Sequence, residues 1–317
     1  MLDKFDISRL HPFYQLLTLL LFVFLGMLFS SLFSMAIGAL IWGGDMLVSA
    51  STLLPGMDVK ELQFLKFTQA FIQIGTMLIP PIAFSWLYRK NPFKILQINK
   101  INNIFLFLVA FLFPFLALWF VNLLGEWNLA IKFPQSLAEL EARLWQMESF
   151  AREMTLLLLR ADTVWGLLLN LLIIAVIPAV SEEFLFRGAI QNVLKSWFKN
   201  AHWAIIVTAI IFSAIHGQFF GFLPRVALGV MLGYLLVYTH SIWAPVIAHF
   251  VNNAVVVIVS FLEAKGLVDI TAEEFGQNDH TFILGMISLI ATTAIIYLLY
   301  GLDKKRNSDK QRLTEIE

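Results

Sequence analysis

Cysteine is absent from the 317 residues. Disulfides, thiolate metal ligands, a cysteine nucleophile and S-palmitoylation are therefore excluded together. Charge is scarce: Asp, Glu, Lys and Arg make up 14% of the chain, against about 25% in soluble domains. The 22 basic residues balance 22 acidic ones, so nothing draws the chain to nucleic acid, and no nucleic-acid partner is expected. Neither an internal repeat nor a low-complexity tract is visible.

What the chain has is apolar length. It is 59% hydrophobic with a mean hydropathy of +0.78. A membrane-crossing helix needs about 20 mostly apolar residues. Runs of that kind lie near 14–42, 64–88, 103–125, 164–186, 203–217, 224–239, 243–262 and 281–301. The first is far longer than a secretory h-region of roughly 7 to 15 residues, so it reads as a retained helix. The expected fold is all-α, a polytopic bundle of about eight transmembrane helices in contact with membrane lipids, placed in the cell membrane.

Lys and Arg gather in alternate connections: Arg89, Lys90, Lys94 and Lys100; then Arg187, Lys195 and Lys199; then Lys304, Lys305, Arg306, Lys310 and Arg312. The connection holding Glu263, Asp269, Glu273, Glu274 and Asp279 is acidic. By the positive-inside rule, both termini are expected in the cytoplasm. Four regions follow: N-terminal helices over 1–130, a connecting helix over 134–160, a core over 164–262, and a last helix with a basic tail over 281–317. In the connecting segment, Ser136 and Glu139 form an S-x-x-E pattern that predicts a capping box. Apolar residues then recur at threes and fours from Leu137 to Leu158, opposite Glu141, Arg143, Glu148 and Arg152. That helix should lie on the membrane surface or dock on the bundle. Gly229 and Gly233 form a G-x-x-x-G suited to close packing within the bundle.

Ionisable residues inside apolar spans are costly, so they face a cavity or a partner. The fourth run ends Ser181-Glu182-Glu183-Phe-Leu-Phe-Arg187. Glu183 and Arg187 are four apart and predict an ion pair, whereas Glu182 points about 100° away and is left available as a general base. Pro178 is expected to perturb the helix just before it. Two further spans read Phe212-Ser-Ala-Ile-His216 and His249-Phe-Val-Asn-Asn253, each placing a polar residue one turn from its partner. No H-E-x-x-H is present, so the zincin arrangement is absent. An ion or proton relay in a transporter would use similar residue types, and a silent immunity or scaffold protein could keep the same fold.

These three segments resemble the motifs E-E-x-x-x-R, F-x-x-x-H and H-x-x-x-N of the CAAX protease and bacteriocin-processing (CPBP, or Abi) family, which includes Ras-converting prenyl endopeptidases. All three are complete and in order. The resemblance implies an intramembrane endopeptidase, of glutamate or metalloprotease type, acting on a peptide or protein substrate such as a prenylated or leader-peptide protein. It implies that Glu182 and His216 activate water, that His249 and Asn253 stabilise the oxyanion, and that Glu183, Arg187 and Phe212 support the site. It leaves open whether the cofactor is zinc, held by Glu182, His216 and His249, or none. The loop charges carry a topological test. Reporter fusions after Lys94, Lys195 and Lys304 should all read cytoplasmic, and one near Asp269 should read the opposite side; agreement between Lys195 and Asp269 would overturn the span assignment.

Overall fold

The computed structural model describes residues 6–45, 58–88, 91–98, 103–272, 274–277 and 280–316, and is entirely helical and irregular over them, without a strand. Arg89, Lys90, Lys100, Glu273, Asp279 and the side chains of Lys310 and Arg312 lie outside the described residues. The main helices are α1 (Pro12–Trp42), α2 (Val59–Trp86), α3 (Ile104–Leu129), α4 (Ala138–Leu159), α5 (Val164–Phe198), α6 (Ala201–Ala214), α7 (Phe222–Thr239), α8 (Trp243–Ala264) and α9 (Thr281–Ile316). Seven are long and apolar enough to cross a membrane. The fifth expected span, near 203–217, is α6, which has 14 residues, about 21 Å at 1.5 Å per residue, short of a hydrocarbon core of about 30 Å. The protein is a multi-pass α-helical membrane bundle.

Helix ends follow local chemistry that hydropathy does not weigh. Helix α2 begins before the apolar run because Asp58 and Glu61 form a reciprocal capping box: Glu61 N–H donates to Asp58 Oδ1 at 2.8 Å and Asp58 N–H to Glu61 Oε2 at 2.9 Å. The box expected at Ser136 and Glu139 is not made. Gln135–Leu137 form a 3₁₀ turn instead, and α4 starts at Ala138 with no side-chain cap. Helix α5 runs a further twelve residues past 186, so Arg187 lies inside a helix, fully buried, rather than in a basic loop. It stops where Lys199 turns left-handed and Asn200 caps α6 through the N–H groups of His202 and Trp203.

Apolar clusters pack the bundle. One joins Leu19, Phe84, Leu185, Phe186, Val193 and Phe212 from α1, α2, α5 and α6. Another joins α3, α7, α8 and α9 through Phe113, Met231, Ala248 and Leu299. Long apolar side chains such as Leu20, Phe29 and Leu40 of α1 stay exposed, as a lipid-facing helix requires.

Helix α4 docks through few residues. Leu140 and Met147 of its apolar stripe remain exposed, while Trp145 stacks on Phe220 at 3.8 Å and Glu148 accepts from Gln218 Nε2 at 3.0 Å and Phe220 N–H at 3.2 Å. The α6–α7 connection is thus held from outside by Glu148. Asn128 of α3 holds it as well, donating to Phe219 O at 2.9 Å and accepting from Leu223 N–H at 2.7 Å.

Small residues set the closest approaches. A Cβ on Gly26 would lie 2.1 Å from Gly75 O, so α1 and α2 touch backbone to backbone. Gly229 and Gly233 likewise bring α7 close to α6 within the bundle, against Ala209 and the Ile205 side chain. Gly26→Ala should therefore lower the melting temperature in detergent, since overpacking costs about 1 to 3 kcal/mol. Gly125→Ala, with open space around its Cβ position, should leave it nearly unchanged.

Candidate active site

Helix α5 reaches the centre of the bundle with two widened turns, Leu171–Val176 and Phe184–Ile190, in which backbone bonds skip to the fifth residue. Such turns recur at functional sites because they re-aim side chains. Between them stand Pro178, Ser181, Glu182 and Glu183. Pro178 has no N–H, so the carbonyl of Ile174 loses its usual donor four residues on. Asn253 Nδ2 of α8 donates to that carbonyl at 3.3 Å.

Glu183 and Arg187 are fully buried and paired, with Nη1 donating to Oε1 at 2.8 Å. The expected ion pair is present. The same Glu183 oxygen also faces His249 Nδ1 at 2.8 Å. Because a carboxylate only accepts, His249 presents Nδ1–H to Glu183. Its other nitrogen, Nε2, then lies 3.8 Å from Glu182 Oε2. Arg187 is held further by Nη2 donating to Gly229 O at 3.2 Å, a contact that the close approach at Gly229 permits.

Phe212 explains its place in the motif. The Arg187 guanidinium carbon lies 4.7 Å from its ring centroid, within cation–π range. His216 and His249 meet the same ring edge-on at 5.0 and 6.1 Å. His216 follows the end of α6, in a turn completed by Gly217 at φ +66°, a left-handed backbone that glycine adopts without strain. Its Nδ1 is 2.7 Å from Phe212 O. A carbonyl only accepts, so His216 carries its proton on Nδ1 there and keeps the Nε2 lone pair.

Glu182, Phe212, His216, His249 and Asn253 line one cavity of about 190 Å³, together with Arg225 and Asn252 and an apolar wall that includes Phe113 and Met231. The structure brings together every site residue expected from the three motifs, with Glu183 and Arg187 just behind. Among the described residues, no group of three His, Cys, Asp or Glu side chains is arranged to hold a metal ion. The suggested zinc set of Glu182, His216 and His249 thus finds no support in the geometry.

Gln73 of α2 was not expected. Its Nε2 donates to Glu182 Oε1 at 2.9 Å and lies 3.3 Å from Ser181 Oγ. The signal was present: Lys66 and Gln73, seven apart, put two polar groups on one face of an apolar span. Lys66 Nζ reaches Asn170 Oδ1 at 2.7 Å and Arg160 O at 2.9 Å.

Fold and site define the class: a membrane-embedded helical bundle with a carboxylate, two imidazoles and an amide in one cavity. Residues 164–255 match a family described as "Type II CAAX prenyl endopeptidase Rce1-like". All three motifs fall inside that segment. The chain is also similar to two proteins of Bacillus subtilis (strain 168). It is 28% identical to "Putative membrane peptidase YdiL" over 108 residues, 34% of this chain and 44% of that one. It is 27% identical to "Uncharacterized protein YpbD" over 90 residues, 27% of this chain and 43% of that one. The chain thus matches less than half the length of these curated relatives. No solved structure matches it.

The buried ion pair generates a stability test. Arg187→Ala leaves Glu183 charged without its partner, and breaking a buried pair costs about 3 to 5 kcal/mol. The variant should melt markedly lower in detergent, and Glu183→Gln/Arg187→Gln should recover part of the loss. An unchanged melting temperature for Arg187→Ala would show that the pair does not stabilise the fold.

Proposed function

We propose that the protein is an intramembrane endopeptidase of the plasma membrane, hydrolysing a peptide bond in a membrane-associated substrate, with Glu182 as the base that activates water. The observation that carries this reading is the cavity in which Glu182 Oε2 stands 3.8 Å from His249 Nε2, with His216 and Asn253 in the same lining. The family match of 164–255 supports peptidase chemistry, and its description supports a prenylated protein as the substrate class.

The residues divide the labour as follows. Glu182 takes a proton from water as the water oxygen bonds to the carbonyl carbon, and the carbonyl π electrons move onto oxygen. His216, with its proton on Nδ1 committed to Phe212 O, offers Nε2 as an acceptor in the same cavity and shares that proton. In this step His249 enters protonated on both nitrogens, with Nδ1–H donating to Glu183 and Nε2–H, on the cavity lining, available to the oxyanion. Asn253 spends one amide hydrogen on Ile174 O and has a second for the oxyanion. Collapse breaks the C–N bond, and the proton held by Glu182 and His216 passes to the leaving amine. The products are a carboxylic acid and an amine.

Cleavage of a membrane-protein substrate by purified protein in detergent tests this. Glu182→Gln should lower turnover by about 10² to 10⁴ while the melting temperature stays near that of the parent. Asn253→Ala should cost about 10². Thorough chelation should leave cleavage intact; loss of activity restored by zinc would replace the carboxylate-activated water with a metal-bound one. Near-normal turnover by both Glu182→Gln and His216→Ala would remove the proposed site.

A further inference from the structure

The motif-bearing segment supplies Glu182, yet one oxygen of Glu182 is held from outside that segment. Gln73 Nε2 donates to Oε1 at 2.9 Å, leaving Oε2 as the oxygen that faces His249 Nε2. Ser181 Oγ donates to Ile177 O at 2.7 Å, so its lone pairs are open to Gln73 at 3.3 Å. The amide is thereby anchored against α5 by two neighbours in sequence.

Helix α2 is itself fixed on both sides of Gln73. Two residues on, Gly75 packs against Gly26 and Ser30 of α1 so closely that neither glycine tolerates a Cβ without movement. Two turns earlier, on the same face, Lys66 bridges Asn170 of α5 and the end of α4 at Arg160 O. A widened turn, Ile74–Leu78, begins directly after Gln73, and Pro80 and Pro81 follow it. Helix α2 therefore meets α5 through two polar anchors, one structural at Asn170 and one at Glu182.

We propose that Gln73 is a positioning residue for the reaction and that the N-terminal helix pair α1–α2 is part of the catalytic apparatus. By occupying Oε1, Gln73 fixes the carboxylate plane and aims Oε2 at the cavity corner where water is activated. A carboxylate released from that bond rotates about its terminal torsion, which is broad, and small misplacements of a catalytic group cost up to about 10²-fold. The proposal rests on Glu182 acting as the base.

Kinetics of Gln73→Met, which keeps the length of the side chain and removes the donor, test it. On a substrate cleaved by the parent protein, kcat should fall about 10- to 10²-fold with KM within about twofold. The melting temperature should move little. Gln73→His, which restores an N–H, should recover part of the loss. In a Glu182→Asp background, where the carboxylate is drawn back by one methylene, Gln73→Met should cost almost nothing further, because its effect passes through Glu182. An unchanged kcat, a change in KM alone, or full additivity with Glu182→Asp would each overturn the proposal. If Glu182→Gln is inactive while Gln73→Met is normal, only the positioning role fails. If Glu182→Gln is active, the reading of the site itself fails.

Discussion

One carboxylate oxygen organises the centre of this bundle. Glu183 Oε1 accepts from Arg187 Nη1 and from His249 Nδ1, both at 2.8 Å. The cost of burying a charged group in a bilayer is high, so each of these three side chains depends on the others for its partner. Their union joins α5 to α8, and Arg187 extends it to α7 through Gly229 O and to α6 through the Phe212 ring. Four helices thus share one buried ionic centre, and the neighbouring Glu182 inherits its place from it.

That centre also explains why two adjacent glutamates have different fates. Glu183 faces inward to cations and donors. Glu182, about a quarter-turn around α5, faces the cavity, where it accepts from the neutral amide of Gln73 and lies near His249. A neutral donor such as Gln73 orients a carboxylate without forming an ion pair with it, which suits the proposed role of taking up and releasing a proton.

Much of the arrangement was legible in the chain. Spacings of four give Glu183 with Arg187, and place Phe212 behind His216 and His249 beside Asn253, because residues one turn apart share a helix face. Span positions follow from apolar length, although α2 and α5 extend beyond their apolar runs; capping at Asp58 and the turn at Lys199 decide those ends. Local pattern misled at Ser136, where a 3₁₀ turn at Gln135–Leu137 displaces the helix start and the capping box is lost. What no local pattern carries is pairing between distant elements. Gln73 and Glu182 are 109 residues apart, and Glu148 and Phe220 are 72 apart. A glutamine in an apolar run signals only that some partner exists, not which.

The size of the cavity sets a condition on hydration. About 190 Å³ gives room for a handful of waters at about 30 Å³ each, or for a short stretch of peptide, but not for both in full. Apolar lining such as Phe113 and Met231 gives water nothing to hold, so under the proposed function a bound peptide would displace water from that side first. The Glu182, His216, His249 and Asn253 side chains offer several hydrogen-bonding partners to one water molecule. On the proposed reading, binding would dry the cavity selectively and leave the attacking water as the last solvent molecule in place.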